Sequence, residues 1–309
     1  MTLQQLEYII AVDRFRHFSK AAEHCHVTQP TLSAMIQKLE EELNVRIFDR
    51  SQQPVCPTAV GSLLLVQARE ILAQAGKMKE IVDEERGAID GTFRVGILPT
   101  IAPYLLPRFF HTLTEKHPRL DIRVSEMKTP EIKRALQTGD IDAGILANLD
   151  DMSEEYALTT LFYEQFLAYV SRNSRLFEKK VVRTSDLVDE RLWMLDEGHC
   201  FRDQMVKFCR LESSKMSQIK YNLGSMETFM RMVEGGDGVT FIPALASLQL
   251  SEKQRELVRQ FALPTPTREI VVLTNVNFIR RRVLDAIVEE IRSSVPKAML
   301  SLTTSQVAI

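Results

Sequence analysis

Apolar residues recur at helical spacing in three short runs at the start of the chain. Leu3, Leu6 and Ile10, with Val12 and Phe15 a turn further on, predict a helix over 3–14 with one buried side. A second, alanine-rich helix is expected over 18–24. Thr28 is placed to cap a third, Pro30 is tolerated in its first turn, and Leu32, Ile36, Leu39 and Leu43 form its buried stripe. From residue 59 the spacing lengthens, and Leu64, Ala68, Ile71, Ala75, Met78 and Val82 step by 4, 3, 4, 3 and 4 as a heptad seam. A long helix with such a seam needs a second apolar surface, either its own domain or another copy of the chain. Asp90-Gly91 ends it.

Beyond residue 91 strands alternate with helices, so the fold class is α/β. Strands are expected over 93–98, 122–126, 143–147 and 158–170. Helices over 103–115 and 130–137 separate the first three, an order that implies a parallel sheet. A second half follows with strands over 193–195, 219–223, 238–242 and 270–274 and helices over 225–233 and 279–293. Residues 301–309 are expected to be a disordered tail. The organisation read from this pattern is a small helical domain over 1–58, a linker helix over 59–90 and an α/β domain over 91–309.

The 309 residues suit about two domains. No apolar run approaches the roughly 20 residues of a membrane span, and residues 1–13 lack the basic start and long apolar core of a signal peptide. The chain is therefore expected in the cytoplasm, with no membrane partner. Four cysteines are too few for a structural disulfide framework, and in a reducing compartment a disulfide is transient and sensory. Cys25 with His24 and His26, and Cys200 with His199, lack C-x-x-C or H-x₃-H spacing, so no metal site is expected. The net charge of −2 gives no support for nucleic-acid binding, and residues 1–58 carry six Lys/Arg against seven Asp/Glu. A DNA reading must rest on where charge is placed. No G-x-G-x-x-G, Walker loop, H-E-x-x-H or G-x-S-x-G appears.

Chemistry concentrates in 196–209, Asp-Glu-Gly-His-Cys-Phe-Arg-Asp-Gln-Met-Val-Lys-Phe-Cys. Phe201, Met205 and Phe208 fall at helical spacing, which places Cys200 in the first turn of a short helix and Cys209 near its other end. Nine residues of helix rise about 13 Å, whereas a disulfide needs its Cα atoms within about 7 Å. The two thiols cannot bond while that helix stands, so a bond between them would force a change of shape. Free N–H groups at the helix start, with His199 and Arg202 beside Cys200, are expected to lower its pKa, and Asp196 and Glu197 to oppose them. Spacing alone leaves open two buried cysteines in a helix that merely packs.

Gln29, Ser33 and Gln37 recur every four residues on the polar face of the third helix. Gln suits adenine edges in a major groove, and the same pattern also fits a solvated face. Over 18–50 the segments Ser19-Lys20-Ala21-Ala22, Val27-Thr28-Gln29-Pro30-Thr31-Leu32-Ser33, Leu43-Asn44-Val45 and Phe48-Asp49-Arg50 resemble the winged helix-turn-helix of LysR-type transcription regulators. The stretch around Cys200 and Cys209 resembles the regulatory segment of the hydrogen-peroxide sensors in that family.

The resemblance implies a winged helix-turn-helix over 1–58, a dimerising linker helix, and a two-lobed effector domain like the periplasmic solute-binding proteins. It assigns 29–42 as recognition helix, with Thr28, Gln29, Pro30, Thr31, Ser33 and Gln37 at DNA, and makes Arg50 a phosphate contact. The wing departs from the family, because Ser51-Gln52-Gln53-Pro54-Val55-Cys56 lacks the basic residue often found there. It further implies that Cys200 is the peroxidatic and Cys209 the resolving cysteine. Thr100 and Thr129 then supply hydroxyls to peroxide, His199 and Asp203 hold the local network, and Arg268 supports the thiolate. The partners implied are promoter DNA, hydrogen peroxide, further copies of the chain as homodimer or homotetramer, and RNA polymerase, with no cofactor and no enzymatic turnover. A metabolite receptor with incidental cysteines, and a thiol peroxidase carrying a DNA-binding head, are the rival readings.

Overall fold

The structure is a computed structural model, and it describes every residue except 52, 86, 88, 148–154, 196–199 and 210–224. His199 and the strand expected over 219–223 lie outside the described residues. Two compact units, Met1–Ala88 and Ile89–Ile309, divide the chain.

The first unit is a winged helix-turn-helix. Helices α1 (Leu3–Phe15), α2 (Phe18–His24) and α3 (Gln29–Leu43) pack through Leu6, Ile9, Val12, Ala22, Leu32, Ile36 and Leu39. Thr28 caps α3 with its hydroxyl accepting from Thr31 N, and Asn44 ends it in the left-handed region. The wing is a two-stranded antiparallel ribbon, β1 (Phe48–Asp49) and β2 (Cys56–Pro57). Helix α4 (Ala59–Glu85) follows, and Gly61 lets it approach closely, since a Cβ there would collide with the Ile47 carbonyl.

The heptad seam divides along α4. Ala68 is buried, and Leu64 and Ile71 pack against the same helical core as Leu65. Met78, Ile81 and Val82 stand exposed, as do Leu63 and Val66 on the other side. The first half of the stripe is thus spent on its own unit.

The second unit is built on one sheet of ten strands. Strands β3 (Gly91–Ile97), β4 (Leu120–Glu126) and β5 (Ala143–Ala147) are mutually parallel in the order β4-β3-β5, as the strand–helix alternation implies. The crossover helices are α5 (Ala102–Lys116) and α6 (Thr129–Thr138). Gly144 is required beneath α6, because a Cβ there would meet Ile132.

Strand β6 (Tyr156–Val170) is long enough to serve both lobes. The second lobe adds β7 (Val181–Val182), β8 (Leu192–Trp193), the cysteine helix α7 (Cys200–Cys209), α8 (Met226–Gly235) and β9 (Val239–Pro243). Short helices α9 (Ala244–Ser247) and α10 (Glu252–Arg255), then β10 (Val258–Phe261), lead into β11 (Thr265–Asn275), which pairs antiparallel with β6 from Thr267 to Asn275. Helix α11 (Arg281–Ser294) closes the first lobe.

Two expectations are corrected. The tail is ordered: β12 (Gln306–Ala308) pairs in parallel with Thr265–Thr267 of β11. Backbone hydrogen bonds from Thr265 N to Ser305 O and from Ile309 N to Thr267 O satisfy an edge that would otherwise remain open. Strand β11 also begins five residues earlier than its apolar run, because its polar start, Thr265–Arg268, is buried. No described helix is long and apolar enough to cross a membrane.

Candidate functional site

The first unit presents a polar surface at the front of α3. Thr28, Gln29, Pro30, Thr31 and Gln37 are exposed and Ser33 is half-buried, while Leu32, Ile36 and Leu39 face the core. Arg50 leaves the wing to lie over this helix. Its Nη1 donates to Ser33 Oγ at 3.3 Å, its Nη2 to Glu40 Oε2 at 3.0 Å, and its guanidinium stacks 5.1 Å from the Phe18 ring centre. Gln29, Ser33 and Arg50 line a surface concavity of about 470 Å³ together with Arg16, His17 and Lys20. The last three were not assigned to DNA from the sequence: Arg16 and His17 form the turn before α2, and Lys20 lies in its first turn. Positive groups thus gather on one face despite the unit's balanced charge.

In the second unit α6, α7 and β11 bring groups to one sulfur. Cys200 is the first residue of α7 and is buried, as is Cys209, the last, and both thiols are free. Helix α7 is held by Met205, fully buried, by the Phe201 ring 4.7 Å from that of Phe166, and by Phe208 edge-on to Phe261 at 5.9 Å. Gln204, also buried, donates from Nε2 to the Ile309 carbonyl at 2.6 Å, which ties α7 to the C-terminal strand.

Thr100 comes from the turn after β3, Thr129 from the first residue of α6, and Arg268 from β11; all three are buried. Arg268 donates from Nη1 to Thr100 Oγ1 at 3.1 Å and from Nη2 to the Thr100 carbonyl at 3.0 Å. Its Nε and Nη2 both reach Oε2 of Glu164 on β6, at 3.0 and 2.7 Å. The Phe201 ring centre lies 5.0 Å from its Cζ. Thr129 Oγ1 is buried with no hydrogen-bond partner among the described residues. A neutral thiol is a weak acceptor, yet this hydroxyl is close enough to lower the Cys200 pKa by bonding the thiolate.

The expected acidic thiol is corrected. Burial pushes the Cys200 thiol up, and it outweighs the charge of Arg268, the Thr129 hydroxyl and the Phe201 backbone N–H, which pull it down. The strongest influence opposing burial is the charge of Arg268 from β11. Asp203 is exposed and pushes the thiol further up, so its carboxylate does not join the buried group around the sulfur. Cys209 has burial alone acting on it and is pushed up to about 12.

Glu164 is the participant that sequence reading missed. A signal was present: it shares strand parity with Phe162 and Phe166, both fully buried, and a carboxylate on that face requires a buried cation.

Residues 3–62 match the model of the bacterial regulatory helix-turn-helix proteins of the lysR family, and residues 86–296 match the LysR substrate binding domain. The chain belongs to the LysR family. Among its LysR relatives, the hydrogen peroxide-inducible genes activator of Escherichia coli O157:H7 is 35% identical over 270 residues, covering 87% of this chain and 88% of that one. Its fold is similar to a full-length OxyR variant from Pseudomonas aeruginosa, with a TM-score of 0.78 and 33% identity over 96% of this chain and 99% of that one. The OxyR crystal structure from Porphyromonas gingivalis is 45% identical, with a TM-score of 0.66, over 71% of this chain and 99% of that one. In LysR terms, the DNA-reading surface lies in the first matched segment and the cysteine site in the second.

Proposed function

We propose that this LysR-family regulator senses hydrogen peroxide with Cys200 and reports it to DNA through a reversible disulfide with Cys209. The observation that carries the reading is that the two thiols end a single ten-residue helix, and one of them sits beside a buried arginine and the Thr129 hydroxyl. The names of its E. coli and Pseudomonas relatives support the same reading.

In the first step the Cys200 sulfur, as thiolate, attacks one oxygen of peroxide. An S–O bond forms, the O–O bond breaks, and hydroxide leaves with the proton released from the thiol as water. Hydroxide is a poor leaving group, so donors aimed at the departing oxygen matter as much as the nucleophile. Thr129, a buried hydroxyl beside Cys200, and the Thr100 hydroxyl held by Arg268 supply them. Desolvation keeps most of Cys200 protonated in the reduced protein.

In the second step the Cys209 sulfur attacks the sulfenic sulfur. The S–S bond forms, the S–O bond breaks and water leaves. A helical rise of about 13 Å separates the two residues, so α7 unwinds and Phe201, Met205 and Gln204 leave their places. A dithiol reductant returns the two electrons and resets the helix.

The DNA output uses the first unit, with Gln29, Ser33 and Gln37 on base edges, Thr28, Pro30 and Thr31 at the front of the helix, and Arg50 on phosphate. Homo-oligomers form through α4, whose exposed Leu63, Val66, Met78, Ile81 and Val82 lack cover in the single chain. Refolding of α7 alters the geometry of that assembly at promoters of antioxidant genes, where RNA polymerase is the partner. His199 retains its proposed role in the network around Cys200.

Thiol mapping by mass spectrometry tests the chemistry. Reduced wild type, Cys200→Ser and Cys209→Ser proteins receive a stoichiometric pulse of peroxide. The expected result is a rapid Cys200–Cys209 disulfide in wild type and a sulfenic acid trapped on Cys200 in Cys209→Ser. Two free thiols in the wild type after the pulse would overturn the reading and direct the search to an organic ligand for the effector domain.

A further inference from the structure

The cation beside Cys200 is itself held by a group that no step above uses. Arg268 and Glu164 are each 1% exposed and stand directly opposite one another in the β6–β11 ladder. The carboxylate is clamped from both sides: Oε2 receives two N–H groups of Arg268, and Oε1 accepts from Leu245 N at 3.0 Å. Of the five guanidinium N–H donors, two go to Glu164 and two to Thr100, which leaves one on Nη1 uncommitted among the described residues. The ring of Phe201, the residue after Cys200, packs against the guanidinium.

We propose that Glu164 is a positioning residue for the chemistry at Cys200: through Arg268 it fixes where the guanidinium stands and how much positive charge the sulfur feels. This rests on the peroxide-sensing reading for its purpose. The physical coupling between Glu164 and the sulfur stands independently of it.

The coupling is electrostatic. A buried guanidinium without a counter-charge would strongly favour a thiolate next to it, and a carboxylate bonded to the same guanidinium cancels much of that field. The sulfur therefore faces Arg268 from β11 with Glu164 from β6 behind it, Thr129 from α6, and the Phe201 N–H and Asp203 from α7. Tyr104 on α5 lies within range of both Glu164 and Arg268 but stays neutral, pushed up by burial, and donates to Glu227 on α8. His199 lies outside the described residues. The net result is a thiol that stays mostly protonated beside a cation, which is a set point that one charge change can move.

Two variants of the full-length reduced protein separate charge from position. Glu164→Gln keeps shape and an acceptor for Arg268 but removes the negative charge. Glu164→Asp keeps the charge and shortens its reach, which draws the guanidinium away from the sulfur. Thiolate formation is followed by its ultraviolet absorbance against pH, each variant referenced to its own Cys200→Ser counterpart. Glu164→Gln is expected to shift the titration about one unit to lower pH, a charge effect at the small end of the usual range, which raises the thiolate fraction at neutral pH about tenfold. Glu164→Asp is expected to shift it the other way. A residue that merely held β6 to β11 would change stability in both variants and shift the titration in neither. A Glu164→Gln titration at the wild-type position overturns the proposal. If that variant does not fold, an unmoved Glu164→Asp titration does so instead. The peroxide rate of the wild type is measured alongside, since absorbance reads Glu164 without peroxide and a silent wild type would refute only the sensing reading.

Discussion

Replacing Met205 with alanine tests whether α7 truly unwinds during the switch. Met205 is fully buried in the middle of the cysteine helix, between Phe201 and Phe208, and carries no polar atom that chemistry could use. Truncating such a side chain costs about 2–5 kcal/mol, from lost transfer energy and the cavity left behind. If oxidation unwinds α7, that cost falls on the reduced state alone, because the oxidised segment no longer seats Met205. The disulfide is then favoured, and since 30 mV corresponds to about 1.4 kcal/mol for a two-electron couple, the reduction potential moves roughly 40–110 mV more negative. The assay equilibrates wild type and Met205→Ala in graded dithiol redox buffers and measures the Cys200–Cys209 disulfide by mass spectrometry. An unchanged potential would mean that Met205 is equally buried in both states. The disulfide would then have formed without the helix leaving its place, and the argument from helical rise would fail.

Gln204→Ala removes the donor to the Ile309 carbonyl and loosens α7 from β12; at about 1 kcal/mol for one hydrogen bond, the potential should fall by roughly 20 mV in the same redox titration. On DNA, Gln29→Ala should relax base preference in a binding-site selection. Arg50→Ala should weaken all sequences alike and reduce the salt slope by about one unit, and a sequence-dependent loss for Arg50→Ala would contradict its role at phosphate. The Cys209 thiol, pushed up from its ordinary value to about 12, makes the reduced fold bind a proton that the unfolded chain releases. Its stabilising contribution is complete below the unfolded thiol pKa and is lost as pH rises from about 9 towards 12. Denaturant titrations of reduced wild type and Cys209→Ala should therefore show the wild type losing stability more steeply across that window, and parallel curves would refute the assignment.

The cysteine helix illustrates how local pattern and distant packing divide the work. Phe201, Met205 and Phe208 at helical spacing are a short-range signal, and α7 spans Cys200–Cys209 as that spacing predicts. The same holds for α1, α2 and α3, where apolar stripes and a Thr28 cap suffice, and for β3 to β5, where strand–helix alternation allows few alternatives to a parallel arrangement. Where two candidate surfaces competed, the pattern was insufficient. The heptad seam of α4 names a buried stripe but cannot say which body buries it, and the structure gives its first half to the helical unit. Residues 301–309 read as a tail because their burial depends on an edge of β11 that only the folded sheet creates.

The sequence by itself determined the helices of the first unit, the strand–helix alternation of the second and the pair of thiols at opposite ends of one helix, because each depends on spacing within about 30 residues. Tertiary structure alone decided the electrostatics of the sulfur. An arginine that acts on Cys200 comes from a strand 68 positions later in the chain, and the carboxylate that holds it comes from a strand 36 positions earlier. Desolvation, the largest influence on the thiol, is a property of how completely the folded second unit closes around it. Burial and long-range charge pairs depend on contacts between elements remote in sequence, which is why the expected acidic thiol became, in the fold, a protonated one beside a tethered cation.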